Sequence, residues 1–275
     1  MTKYRHQAKF DENSLAVLDI ESISGEDMPE GGFPPWCTHS PVVCSVLTAD
    51  RDRHDVWAFA LKSIRFSEDE DPLGKIEALL KGRSCVTFNG RGFDLPVLSL
   101  TAQKTRQFGL TALIAAATEP RFDSGQHYDL ADHISGFGQA RGASLELLCR
   151  ELDIPAKADT HGNQVGALYD QGKIDDIVAY CETDVAATLQ LFAHRYAFER
   201  GDEYYFASLA YQFARWIRQT GIDHLQPFAE IDELDVLLGC SLSGQINVAR
   251  ANAKVDADRQ EQRRIDASFC DPVHY

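Results

Sequence analysis

Three short stretches carry acids where the surrounding pattern predicts burial. In "SLAVLDIES", residues 14 to 22, the run from Leu15 to Ile20 reads as a strand built for a core, yet it contains Asp19 and is followed by Glu21. Alternate residues of a strand share a face, so both carboxylates project the same way. Like charges side by side cost energy unless something neutralises them, so this strand end either opens to solvent or holds a cation. In "FNGRGFDLP", residues 88 to 96, an apolar strand ends in Asn89-Gly90 and delivers Asp94 to the mouth of a helix that Pro96 helps to start. Taken alone, this stretch is better explained by a turn at Asn89-Gly90 and helix capping by Asp94. In "YCETDV", residues 180 to 185, Tyr180 and Asp184 stand i, i+4 on the helix face that carries Ile177, Cys181 and Leu191. Asp184 therefore lies within the buried stripe or at its rim. A charge aimed at a core is costly unless it is paired or bound to metal. Carboxylates without His or Cys partners suit the hard cations Mg²⁺ and Mn²⁺ better than Zn²⁺.

The elements that must position these acids follow from the hydrophobic pattern. Residues 25 to 37, rich in Gly, Pro and acids, form a loop long enough to be functional. Residues 41 to 50 and 54 to 60 are β-rich runs around a charged turn and predict a hairpin. A helix is expected over 72 to 81, a buried strand over 84 to 90, and a second helix from Pro96 to Gln107. "HYDLADHIS" (127 to 135) suggests a short strand, 144 to 154 a helix opened by a Ser cap, and 156 to 172 a loop. A long helix is expected from Asp175 to Glu199, with further helices over 203 to 239 interrupted near Pro227. The order implies an α/β protein with a mixed sheet and helices on its faces.

Bulk properties narrow the class. At 275 residues, one or two domains are possible, with ample material for a core. No apolar run is long enough to span a membrane, and "MTKYRHQAKFDENS" lacks the apolar core of a signal peptide. Seven cysteines without a C-x-x-C pair argue against a disulfide framework or zinc ribbon, so reduced thiols and a cytoplasmic location are expected. The formal charge of −15 counts against tight non-specific binding of nucleic acid. It does not exclude catalysis on a chain end, because bound cations can dominate the local field.

Taken together and in chain order, D-x-E on the first strand, N-x-x-x-F-D after a later strand and Y-x-x-x-D on a late helix resemble the three motifs of the DEDD superfamily of 3′–5′ exonucleases. Tyr180 stands four before Asp184, and position 179 is Ala rather than the His of the histidine branch. The chain is thus similar to the tyrosine branch, and to predicted exonucleases that resemble the proofreading domain of B-family DNA polymerases. This resemblance implies a ribonuclease H-like fold, with a mixed five-stranded sheet flanked by helices and a C-terminal helical extension. The exonuclease domain is expected over 14–200, the extension over 201–250 and a charged tail over 251–275. It also implies two divalent metal ions, Mg²⁺ or Mn²⁺, and a substrate that is the 3′ end of single-stranded DNA or RNA, with no membrane partner. Asp19 would bridge both metals, Glu21 and Asp184 would hold the nucleophile-side metal, and Asp94 would act mainly through water. Tyr180 would orient the attacking water, since its ordinary pKa of about 10 makes it a poor base at neutral pH. Asn89 and Phe93 would position the terminal nucleotide, while Arg91 and Lys157 could meet phosphate. Asp129 could be an accessory acid or a strand-end cap.

Overall fold

The structure is a computed structural model that describes residues 9–26, 32–123, 125–140, 142–155 and 164–230. Five strands, β1 (Ser14–Ser24), β2 (His39–Arg51), β3 (Trp57–Arg65), β4 (Ser84–Thr87) and β5 (His127–Asp129), form one sheet in the order β3-β2-β1-β4-β5. The first three strands pair antiparallel, whereas β4 runs parallel to both β1 and β5. This is the mixed five-stranded sheet expected from the sequence.

Alternation along β1 sorts the core into two layers. Ala16, Leu18 and Ile20 pack with α1 (Pro72–Leu80), α2 (Asp94–Lys104) and α3 (Thr111–Thr118) on one face. Leu15 and Val17 pack on the other with α7 (Ile174–Arg200) and α8 (Glu203–Thr220). Asp19 and Glu21 continue the Leu15/Val17 row, so they point towards α7. Asp71 caps α1 by accepting from the Gly74 N–H, with Pro72 at the first helical position, where a missing N–H costs nothing. Gly201, at φ +62°, ends α7 in the left-handed conformation and turns the chain into α8.

Several expectations need correction. The second helix begins at Asp94 rather than Pro96. The strand expected over 127 to 135 is only three residues long and gives way to α4 (Leu130–Ile134). The segment 111–118, absent from the expected element order, is helical, because the alanine-rich "TALIAAAT" favours helix without showing a clear apolar period. The loop expected over 156 to 172 contains α6 (Val165–Asp170), anchored by the buried Val165. The expected helix over 144 to 154 is α5 (Leu145–Glu151), with Ser144 as its cap.

Beyond α8, a 3₁₀ helix over Asp223–Ala229 contains Pro227, which matches the expected interruption. The expected boundary at residue 200 falls between α7 and α8, and buried residues of both belong to one cluster. Residues 231–250 of the expected extension, and the expected tail over 251–275, lie outside the described residues. No helix among the described residues is long and apolar enough to cross a membrane.

Candidate active site

The acids meet where the strands part. β1 pairs with β4 only from Leu15 to Val17, so beyond Val17 the backbone of β1 loses its parallel neighbour. Asp94 takes up the freed donor: its Oδ1 accepts the Ile20 N–H at 2.9 Å. Asp94 therefore does not cap α2; the cap position is Phe93, whose side chain makes no capping bond. On the opposite edge a register shift between Glu21 and Ser22 interrupts pairing with β2 just past the D-x-E pair.

Asp184 reaches the same place from α7. One carboxylate oxygen each of Asp19, Glu21 and Asp184 lie within 4.8 Å of one another. Asp94 stands beside this group with one oxygen committed to Ile20. The electrostatic consequence is severe. Burial, together with the Asp94, Glu21 and Asp184 charges, holds Asp19 well above the ordinary carboxylate range, and Glu21 is raised in the same way by burial and by Asp184 and Asp94. Burial pushes Asp94 and Asp184 up to about 7. The Tyr180 hydroxyl donates a hydrogen bond to Asp184, which offsets part of that rise. Burial and the surrounding acids raise Tyr180 itself, so the phenol keeps its proton. The donor set is all oxygen and carries excess negative charge, which fits hard divalent cations.

A cleft of about 480 Å³ opens beside these acids, lined by Asp19, Asp94, Asn89, Phe93, Phe33 and Trp36 among others. Phe33 is 70% exposed and Trp36 43% exposed. Phe33 is held by its neighbours, stacking on His39 at 5.0 Å and meeting Phe93 edge-on at 5.5 Å. Both lie in the Gly/Pro-rich segment before β2, where only length had hinted at a role; the visible signal is an aromatic pair inside "GFPPWC".

The structure places the remaining expected residues as follows. Asn89 sits at φ +61°, a conformation Asn tolerates better than most residues, and it lines the cleft. Gly90 follows because a Cβ there would lie 2.5 Å from the Thr87 side chain. Asp129 holds this turn from below, accepting the N–H groups of Asn89 and Arg91, each at 2.9 Å. The Arg91 guanidinium is engaged by Asp132 at 3.1 Å and by the Glu119 carbonyl. Lys157 lies outside the described residues. Sequence reasoning passed over Cys181 as chemistry, yet its thiol donates towards Asp19 Oδ2 at 3.4 Å.

A family model described as a predicted 3′–5′ exonuclease related to the exonuclease domain of PolB matches residues 32–231. The chain belongs to this exonuclease family. The matched span includes Asp94, Tyr180 and Asp184 and begins after β1, so the place of Asp19 and Glu21 rests on the geometry above. No curated protein matches the chain. Among solved structures, this exonuclease is similar to the family B DNA polymerase from the hyperthermophilic archaeon Pyrobaculum calidifontis, at 17% identity and a TM-score of 0.47. The likeness covers 80% of this chain and 28% of the polymerase.

Proposed function

We propose that this family member is a metal-dependent 3′–5′ exonuclease that removes nucleotides from single-stranded ends, DNA favoured over RNA, and releases nucleoside 5′-monophosphates. The observation that carries this reading is the convergence of three carboxylates within 4.8 Å at the mouth of an aromatic-lined cleft. Asp19, Glu21 and Asp184 would hold two cations, Mg²⁺ or Mn²⁺, with Asp94 contributing from the start of α2, where it is bonded to Ile20 of β1. Such a pair of cations supplies an activated water, a charge clamp on phosphorus oxygens and help for the leaving 3′-oxygen. Tyr180 stays protonated, so it orients the attacking water by hydrogen bonding rather than removing its proton.

The cleft accounts for recognition of a single-stranded end. Every base has a π-face, so exposed Phe33 and Trp36 offer stacking surfaces with little sequence preference. Asn89 presents an amide to the same space. Phosphate contacts by Arg91 would require it to serve the substrate from its bridge to Asp132. All five described cysteines are free thiols, which fits the proposed cytoplasmic location.

Incubation with 5′-labelled single-stranded DNA and RNA, in Mg²⁺, Mn²⁺ or EDTA, tests the reading. A ladder shortening from the 3′ end, abolished by EDTA, is expected with DNA as the better substrate. Faster trimming of RNA would reassign it as an exoribonuclease. Retention of either strand without cleavage would make it a non-catalytic binder.

A further inference from the structure

A row of polar groups runs beneath α7, away from the cleft. In sheet register Asp19 faces Ser45 on β2, and Ser45 faces Ser63 on β3. The two serine hydroxyls lie 2.8 Å apart, and Ser63 donates to Glu182 Oε1 at 2.6 Å. The other Glu182 oxygen is 2.8 Å from Nε2 of His224, in the 3₁₀ helix after α8. Donor counting fixes the sense of the row. A carboxylate only accepts, so Ser63 spends its single hydrogen on Glu182 and Ser45 donates to Ser63. Both serines, like His224, thus converge on Glu182, while the Cys181 thiol contacts Ser45 on one side and lies 3.4 Å from Asp19 Oδ2 on the other.

Glu182 lies on α7 between Tyr180 and Asp184, two residues from each. Elsewhere α7 meets the sheet through apolar side chains such as Ile177 and Cys181 against Val43. Apolar burial fixes how closely a helix sits but is non-directional, so it resists sliding weakly. A carboxylate with two short hydrogen bonds is directional and does resist sliding. The three ligand oxygens come from a strand and a helix, and a slip of one residue moves a helix by about 1.5 Å, enough to spoil such a cluster.

We propose that Glu182 is a positioning residue that sets the register of α7 against the sheet, and so the spacing of Asp184 from Asp19 and Glu21. It also ties His224, beyond α8, to that spacing. The inference rests on the metal-site reading above. The outer row does not touch the substrate cleft, so its effect falls on metal binding and turnover rather than on substrate capture.

The test uses the full chain and the variants Glu182→Ala, Glu182→Gln and Ser63→Ala. Calorimetry reads Mn²⁺ affinity, thermal melting reads folding, and 5′-labelled single-stranded DNA gives kcat and KM separately. Glu182→Ala is expected to melt cooperatively and to bind Mn²⁺ about ten-fold more weakly, as outer partners of metal ligands do, with kcat reduced and KM changed by less than about two-fold. Glu182→Gln keeps the acceptor for Ser63 and is expected to recover most of the affinity. A folded Glu182→Ala with Mn²⁺ affinity within about two-fold of the wild type would overturn the inference, because a merely structural role lowers melting alone. Should Glu182→Ala fail to fold, Ser63→Ala decides: about three-fold weaker Mn²⁺ binding supports the proposal and unchanged binding overturns it. A wild-type chain that neither binds Mn²⁺ nor cleaves DNA would instead sink the functional reading, and this inference with it.

Discussion

Two groups of acids sit near the ends of β1 and β5, strands separated in the sheet by β4, and their surroundings differ. Asp129 and Asp132, at the end of β5 and in α4, have partners on every side. Asp129 accepts the N–H groups of Asn89, Arg91 and Ala131, and Asp132 is bridged by Arg91 and Arg121. Asp19, Glu21 and Asp184 form no ion pair with any described lysine or arginine; Glu21 and Asp184 both raise the pKa of Asp19, and Asp184 raises that of Glu21. A buried acid with donors and cations around it is part of the scaffold. A cluster of them left facing one another must either take up protons or gain an external positive charge. The contrast therefore separates the acids that hold the Asn89–Arg91 turn from those that await metal.

Exchanging one acid in each group breaks the comparison most directly. Asp184→Asn is expected to lower metal-dependent hydrolysis by at least about a thousand-fold, as loss of one member of a catalytic unit does. The same change removes a repelling charge and should raise the melting temperature of the metal-free protein. Asp132→Asn should do the reverse, costing about 1–3 kcal/mol of stability by weakening its bonds to Arg91 and Arg121 while leaving hydrolysis largely intact. Denaturant unfolding and the labelled-strand assay on both variants check this; similar behaviour of the two would remove the distinction. Next in size, Tyr180→Phe keeps the acids and deletes only the hydroxyl. Turnover should fall about 100-fold with oligonucleotide affinity unchanged, and an unaltered kcat would take Tyr180 out of the reaction.

The sequence made one of these two groups legible and left the other nearly silent. Asp19, Glu21 and Asp184 stand out because each violates an apolar period, of two in β1 and of 3.6 in α7. Asp94 was visible but ambiguous, since its true partner, the Ile20 N–H, comes from a strand 74 residues earlier. Asp129 and Asp132 break no pattern, and the donors they take from Asn89 and Arg91 come from a turn that only the parallel pairing of β4 with β5 brings near. The same limit hid the Glu182 row, which depends on register across three strands. Short elements such as β5 and α6 carry too few residues to display a period, and they form because the core around them is already built. Phe33 and Trp36 were masked by a loop composition that says turn rather than surface.

Those aromatics sharpen the comparison from the substrate's side, because they flank the unpaired acids and not the paired ones. Phe33→Ala removes an exposed stacking face without touching a carboxylate. KM for single-stranded DNA is expected to rise about ten-fold, within the range of one lost base stack, with metal affinity unchanged. A KM equal to that of the wild type would place the strand elsewhere.

The smallest effect is a change in the slope of stability against pH. Asp94 and Asp184 titrate near 7 when folded, against 3.8 ordinarily, so between about pH 4 and 7 the folded protein holds protons that the unfolded chain releases. Their contribution to stability therefore falls as pH rises through that window, and the destabilisation is complete above it. His127 works in the opposite sense: burial holds it down to about 3, so the unfolded chain binds the extra proton and stability rises with pH up to about 6.5. The difference between proteins isolates the acid from the histidine. In EDTA, the melting temperature of the wild type minus that of Asp184→Asn should decrease from pH 5 to pH 8. Saturating Mg²⁺ should reverse the trend for the wild type alone, because cations bind the deprotonated acids. Parallel curves for the two proteins in EDTA would mean that the Asp184 charge is already compensated in the folded protein, and the contrast between the two groups of acids would fail.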